Sequence, residues 1–163
     1  MKKLYLIRHA KSSWKNLTLE DFDRPLNKRG KRNAPFMGNL LHQLGVNPDI
    51  IVASPSYRTR KTAEIIAKEV NYDKHKIDYY EDLYEASLND ILDTLKYLDD
   101  KNKIVFLIGH NPSLNLFAQE VLDFDENIPT CGILEIEFSC DLWQDISSKN
   151  SKLISFEYPK KYE

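Results

Sequence analysis

Residues 4–14 read LYLIRHAKSSW, a short apolar run that leads directly into an arginine, a histidine and a polar segment. The run Leu4–Ile7 predicts a buried strand, and Arg8 and His9 then follow at its carboxyl end. Open α/β sheets bind their ligands at the carboxyl ends of the strands. A guanidinium and an imidazole at this position therefore indicate anion transfer, and a phosphoryl group is the anion they favour.

Two further predicted strands end in residues of the same chemistry. The strand over 103–108 leads into Gly109 and His110, and a helix pattern begins at once. The strand over 49–53 leads into a helix whose first turn contains Arg58. A guanidinium there can bind phosphate oxygens in bidentate fashion, helped by the free backbone N–H groups of the helix N-terminus. Three strand ends thus offer two imidazoles and two guanidiniums.

Strands and helices alternate along most of the chain. The apolar spacing predicts strands over residues 3–8, 49–53, 76–80, 103–108, 132–138 and 152–158, and helices along the stripes 37–44, 63–70, 88–95 and 114–121. This alternation implies right-handed crossovers and a three-layer α/β/α fold with a mainly parallel sheet. No helix separates the last two strands, so we expect them to form an antiparallel margin. A chain of 163 residues suits a single domain over 1–163.

Several residues predict where helices begin and end. Ser87 with Asp90 resembles a capping box, and Gly45 is suited to end the first helix. Asn111 is expected to be an N-cap, with Pro112 in the first helical position.

The first helix contains a proline. Pro35 would break a helix that had already begun near Asn27, so we expect regular helix from about Asn33. The residues before it, Asn16–Arg32, then form the one long irregular stretch, and such stretches are often functional in compact domains.

The composition narrows the partners and the location. A formal charge of −2, from 23 basic and 25 acidic side chains, gives no global field for nucleic acid or an anionic membrane. No apolar run approaches the ~18 residues that span a bilayer, and the first apolar run is too short for a signal peptide. We therefore expect a cytoplasmic protein whose phosphate recognition is local.

Neither a disulfide nor a metal site is indicated. Cys131 and Cys140 would lie at opposite ends of one strand, too far apart to pair, so we expect free thiols. The four histidines lack the spacing of zinc or two-metal sites. We predict no metal and no organic cofactor, and the sequence leaves the oligomeric state open.

The order of these blocks resembles the histidine phosphatase superfamily, also called phosphoglycerate mutase-like. The resemblance rests on Arg8-His9, on Ser54-Pro55-x-x-Arg58 and on residues 109–112, Gly-His-Asn-Pro. The short length, residues 8–14 and the blocks Asp23-Arg24-Pro25-Leu26 and Asp82-Leu83-Tyr84-Glu85-Ala86 are most similar to its SixA-type phosphohistidine phosphatase branch.

The chemistry of the residues suggests their roles. A neutral His9 can attack phosphorus and form a covalent phosphoimidazole, the role that the resemblance also implies. Arg8 and Arg58 are suited to hold the equatorial oxygens, and we assign His110 to stabilising transition-state charge. The resemblance selects Glu85 as the acid or base near the phosphate.

Two departures from the superfamily pattern lie in the loop after the first strand. Ala10 replaces the usual glycine, and Lys15-Asn16 stands where mutase-like members have an asparagine. Phosphate ligation from this loop therefore stays open.

The substrate is the least determined part of the prediction. Only about seven residues separate Glu81 from the helix stripe at Leu88, which leaves little room for an insertion over the site. An open site suits phosphohistidine on a partner protein. The alternatives are small phosphate monoesters, or phosphate binding without catalysis.

Overall fold

The computed structural model describes all 163 residues. Its six strands are β1 (Lys2–Arg8), β2 (Ile50–Ala53), β3 (Asp78–Tyr79), β4 (Ile104–Gly109), β5 (Ile133–Phe138) and β6 (Ser151–Glu157). Its four helices are α1 (Lys28–Gln43), α2 (Tyr57–Glu69), α3 (Leu88–Lys96) and α4 (Ser113–Leu122). No helix is both long enough and apolar enough to cross a bilayer.

The strands form one sheet in the order β3-β2-β4-β1-β5-β6. Strands β3, β2, β4 and β1 are parallel, whereas β5 runs antiparallel to β1 and β6 runs antiparallel to β5. The predicted fold class, a mainly parallel sheet with an antiparallel margin, is confirmed. Arg8 at the end of β1 pairs with Gly109 at the end of β4, so the two histidines that follow these residues emerge side by side.

The alternation of side chains along β1 explains the two helical layers. Leu4 and Leu6 belong to the apolar cluster that includes residues of α3 and α4, and Tyr5 and Ile7 belong to the cluster that includes residues of α1 and α2. Leu4, Leu6 and Ile7 are fully buried. Burial of each such side chain contributes about 1.5–3 kcal/mol, so β1 is held from both faces.

The predicted start of the first helix was wrong. Helix α1 begins at Lys28, and Pro35 lies inside it. The Asn27 side chain caps the helix by accepting a hydrogen bond from the Gly30 N–H at 2.9 Å. Buried residues on both sides of the proline, among them Ala34 and Met37, pack against the sheet. This packing outweighs the local cost of an internal proline, about 3 kcal/mol.

Other boundaries were predicted with mixed success. The capping box of Ser87 with Asp90 is present, and Gly45 adopts a φ of +74° just after α1. Helix α4 begins at Ser113, with Pro112 in the N-cap position, one residue later than predicted. The Asn111 carboxamide oxygen still accepts a hydrogen bond from a helical N–H, that of Asn115, at 3.0 Å.

The strands differ from the prediction mainly in β3. It has two residues instead of five, because residues 74–76 form a 3-10 turn that Asp73 caps. The ends of the other strands lie within one residue of the prediction. Both cysteines are free, as predicted.

Gly30 provides a test of how α1 is joined to the loop after β1. A Cβ at Gly30 would overlap the backbone carbonyl oxygen of Lys11. At an exposed position in the interior of a helix, Gly→Ala raises the free energy of unfolding by up to about 1 kcal/mol. We expect Gly30→Ala instead to lower the free energy of unfolding by about 1–3 kcal/mol, measured by chemical denaturation. Asn39→Ala, at an exposed position of the same helix, serves as the control. Equal stability of Gly30→Ala and the wild type would contradict this packing.

Candidate active site

A cavity of about 620 Å³ opens where the carboxyl ends of β1, β2 and β4 meet. All five residues predicted from the sequence line it: Arg8, His9, Arg58, Glu85 and His110. Other lining residues come from the loop after β1, from the irregular stretch and from the turn before α3: Lys11, Ser12, Trp14, Asp21, Arg24 and Tyr84. The expected convergence of the three strand ends is therefore observed.

His9 is held by the backbone that surrounds it. Its Nδ1 lies 2.7 Å from the Ala10 carbonyl oxygen. Because a carbonyl only accepts hydrogen bonds, the proton of the neutral ring is on Nδ1, and the lone pair is on Nε2. The Ala10 N–H donates to the Thr62 hydroxyl at 2.9 Å, and the Cys131 N–H donates to the His9 carbonyl at 3.1 Å. The ring is thus fixed in the tautomer that a nucleophile requires.

His110 has the opposite tautomer. Its Nδ1 lies 3.4 Å from Arg58 Nη2, which can only donate a hydrogen bond. The proton of the neutral ring is therefore on Nε2, which lies 2.7 Å from the Ser54 hydroxyl and 3.3 Å from that of Thr59. The centroids of the His9 and His110 rings are 5.1 Å apart. One small ligand can therefore contact both imidazoles.

Both histidines are neutral at physiological pH. Burial lowers the pKa of His9 to about 3, and the nearby His110, Arg58 and Arg8 act in the same direction. The hydrogen bond to Ala10 opposes this shift and does not overcome it. Burial and then the Arg58 charge lower the pKa of His110 to about 4. A neutral His9 retains the lone pair that attack on phosphorus needs.

The two arginines have donors that the protein does not satisfy. Arg8 donates from Nη1 to the Ile128 carbonyl at 3.0 Å. Arg58 donates from Nη1 to the Asp21 carbonyl at 2.7 Å and from Nη2 to the Asp21 carboxylate at 3.1 Å. The Nε atoms of both arginines are buried and have no hydrogen-bond partner. A buried unpaired donor costs about 1–3 kcal/mol, so the burial of the two guanidiniums lowers the stability of the protein.

Asp21 is the main residue that the sequence interpretation missed. Its carboxylate accepts hydrogen bonds from Tyr84 at 2.7 Å, from Arg58 at 3.1 Å and from Arg24 Nε at 3.1 Å. Burial alone would raise the pKa of Asp21, but the bonds from Tyr84 and Arg58 lower it to about 2. Asp21 therefore stays ionised and orients Arg58.

Arg24 and Tyr84 complete this wall of the cavity. The Arg24 guanidinium lies 3.5 Å from the centre of the Trp14 ring and donates to the Ser12 hydroxyl at 2.7 Å. Tyr84 packs edge-on against His110, with their ring centroids 5.6 Å apart. The length of the irregular stretch had indicated a functional segment. The partners of Asp21, however, are Arg58 and Tyr84, which lie 37 and 63 positions away along the chain. No local pattern shows such contacts.

Glu85 lies on the exposed rim of the cavity with a left-handed φ of 54°. This conformation costs a non-glycine residue of the order of 1–3 kcal/mol, and such strain is concentrated at functional sites.

Arg60 and Lys61 are exposed beside the Tyr57 ring and do not line the cavity, as expected for a solvated helix face. The structure has no group of three or more His, Cys, Asp or Glu side chains arranged to hold a metal ion.

Comparison with known families identifies the class of protein. Residues 4–101 match the histidine phosphatase superfamily (branch 1), and the chain belongs to that family. An uncharacterized chloroplastic protein of Arabidopsis thaliana is 27% identical over 154 residues, which are 88% of this chain and 70% of that protein. The mitochondrial serine/threonine-protein phosphatase Pgam5 of Drosophila ananassae is 36% identical over 74 residues, which are 45% of this chain and 25% of that protein.

Two solved structures share the whole fold. A protein of Agrobacterium tumefaciens, assigned as the phosphohistidine phosphatase SixA, has a TM-score of 0.82 at 26% identity, covering 97% of this chain and 98% of that chain. The protein histidine phosphatase SixA in complex with tungstate has a TM-score of 0.85 at 18% identity, covering 99% of both chains, and shows the fold alone. The predicted resemblance is confirmed, and family and fold together support a phosphatase.

The protonation state of the two histidines can be tested by NMR. We expect both rings to stay neutral down to about pH 5, with the proton on Nδ1 in His9 and on Nε2 in His110. Because an unfolded histidine titrates near pH ~6.5, the unfolded chain binds more protons than the folded one below that pH. The free energy of unfolding should therefore fall as the pH drops below about 6.5. Long-range ¹H–¹⁵N spectra check this, and a His9 ring that titrates between about pH 6 and pH 7 without phosphate would contradict it.

Proposed function

We propose that this protein removes phosphate from phosphohistidine on a partner protein, through a covalent phosphohistidine intermediate on His9. The observation that supports it most is a neutral imidazole with a free Nε2, in one cavity with the guanidiniums of Arg8 and Arg58. Phosphate binding without catalysis would not require such a nucleophile. We further propose that the reaction uses the side chains of the chain itself and needs no metal.

The first step is transfer of the phosphoryl group to the enzyme. Arg8 and Arg58 hold the equatorial oxygens, where negative charge lies during phosphoryl transfer. His9 Nε2 attacks phosphorus, the P–N bond to the substrate ring breaks, and the substrate nitrogen keeps the electron pair. The substrate ring leaves as a neutral imidazole because its other nitrogen is protonated. The phosphorylated His9 ring is cationic with its proton on Nδ1, and the Ala10 carbonyl stabilises that charge.

The second step releases phosphate. Water attacks phosphorus, the bond from phosphorus to His9 Nε2 breaks, and inorganic phosphate leaves while Nε2 regains its lone pair. Glu85 is suited to accept the proton of the water, because it lies on the cavity rim. A bound phosphate dianion raises the pKa of His110, whose Nδ1 can then donate to a phosphate oxygen.

The short wall of the cavity favours a group that protrudes from a protein surface. Only the turn Tyr84–Ser87 separates the 3-10 helix Glu81–Leu83 from α3. The similarity to the Agrobacterium tumefaciens protein extends over 97% and 98% of the two chains, so neither has a large extra segment. A phosphohistidine ring can reach the cavity without displacement of a lid.

Hydrolysis of phosphate monoesters is a second candidate, and Glu85 favours it. An alkoxide is a poor leaving group and needs a proton from a nearby acid. Glu85 lines the cavity and has no hydrogen bond to another side chain, so it is available for this role.

The first test compares phosphohistidine with phosphate monoesters and traps the intermediate. We expect faster turnover of a phosphohistidine protein than of a monoester panel, and labelled phosphate on His9 after an alkaline quench, because phosphohistidine is acid-labile. His9→Asn should abolish both the label and turnover, whereas His42→Asn, at an exposed position outside the cavity, should retain them. Circular dichroism verifies that both variants fold. Rapid turnover by the wild type without any label would favour direct attack by water and exclude His9 as the nucleophile.

The second test concerns Glu85. We expect Glu85→Gln to slow monoester hydrolysis by about 10²-fold or more and phosphohistidine hydrolysis much less, because the imidazole leaving group needs less help than an alkoxide. Glu81→Gln, at an exposed carboxylate that does not line the cavity, is the matched control. Equal losses on both substrates would refute this division of roles.

A further inference from the structure

The exposed surface at the start of α1 is strongly basic. The first five residues of the helix contain four cations and no acid, Lys28, Arg29, Lys31 and Arg32 around Gly30, in a chain whose net charge is −2. All four cations are exposed. We call these four residues the basic rim.

Close packing places the basic rim next to the active site. Gly30 lies directly against the backbone of Lys11, which lines the cavity, and the Asn27 N–H donates to the Lys11 carbonyl at 3.0 Å. The rim is therefore joined to the loop that contains the nucleophile.

The electrostatics of the rim oppose the stability of the helix. The N-terminus of a helix has a partial positive charge, so cations there are unfavourable and acids are favourable. None of the four rim cations forms an ion pair with an acidic side chain. Local rules of stability are broken mainly where function requires it. The destabilising cations thus indicate a binding role.

Contacts from Arg8 and Arg58 to a phosphate would be the same for every phosphorylated protein, so they would not select among partner proteins. We propose that the basic rim binds an acidic surface next to the phosphohistidine of the partner protein, an inference that rests on the proposed function. Lys11, inside the cavity, extends the same positive surface towards the phosphate.

Two peptides with one central phosphohistidine each provide the probe, one flanked by glutamates and the other by lysines. We expect the wild type to hydrolyse the glutamate peptide with a kcat/KM about tenfold higher at low salt, and the preference to shrink at about 0.5 M salt. Lys28→Glu with Arg29→Glu should remove or reverse the preference. The matched control, Lys96→Glu with Lys101→Glu, changes two exposed cations outside the cavity lining and should keep it.

The stability of the rim variant separates binding from misfolding. Two acids at the start of α1 should raise its Tm, so it should be more stable than the wild type and yet slower on the glutamate peptide. Hydrolysis of free phosphohistidine should stay within about twofold, because the rim does not contact the phosphate.

Each remaining outcome decides against one of the two proposals or both. Equal hydrolysis of the two peptides by the wild type would overturn the proposed role of the basic rim and leave the proposed function intact. Hydrolysis of monoesters with neither peptide cleaved would overturn the proposed function and the rim together. An RNA oligonucleotide that inhibits the wild type more strongly than the unphosphorylated glutamate peptide, but not the rim variant, would assign the rim to nucleic acid instead.

Discussion

The arrangement of the active site depends on the burial of two guanidiniums, Arg8 and Arg58, in one cavity. Burial and the repulsion from Arg58 lower the pKa of Arg8, which shows how unfavourable the pair is without an anion. Asp21 compensates part of this charge, because it accepts from Arg58 through its carbonyl and its carboxylate. The remaining positive charge of the two guanidiniums, which line the cavity, is available to a dianion. The electrostatic cost of burying both guanidiniums would therefore be lower with an anion bound in the cavity.

The same crowding of cations prepares the nucleophile. A histidine attacks phosphorus only when it is neutral, and burial together with the nearby positive charges keeps His9 neutral. The opposite tautomers of His9 and His110 follow from their partners, a carbonyl for one and a guanidinium for the other. A bound dianion opposes the local positive field and favours the cationic form of His110, whereas His9 becomes cationic through its bond to phosphorus. The transition state therefore meets a stronger positive field than the free enzyme provides.

The sequence was sufficient for the fold class and for the five residues expected in the cavity. Arg8 ends β1, His9 and His110 directly follow β1 and β4, and Arg58 lies in the first turn of the helix after β2. Parallel strands bring their carboxyl ends to one edge. Asp21 and Tyr84 were missed because their contacts depend on the path of a loop over the sheet. The start of α1 was wrong because tertiary packing around Pro35 overrode a local penalty. The shortness of β3 has a similar cause, since Asp73 favours a local turn in place of a longer strand.

The cavity and the surface around it are suited to different tasks, phosphate binding and the recognition of a substrate protein. Phosphate is common to every substrate of a phosphatase, so contacts to its oxygens supply affinity and rate but little discrimination. A substrate protein must therefore be distinguished by surfaces outside the cavity. Beside this mouth, the start of α1 packs against Lys11 and has four exposed cations without ion pairs, whereas Asp21 in the cavity is paired with Arg58 and Arg24. A local positive surface of this kind rejects partners that present cations to it through like-charge repulsion, even where the apolar area buried is small.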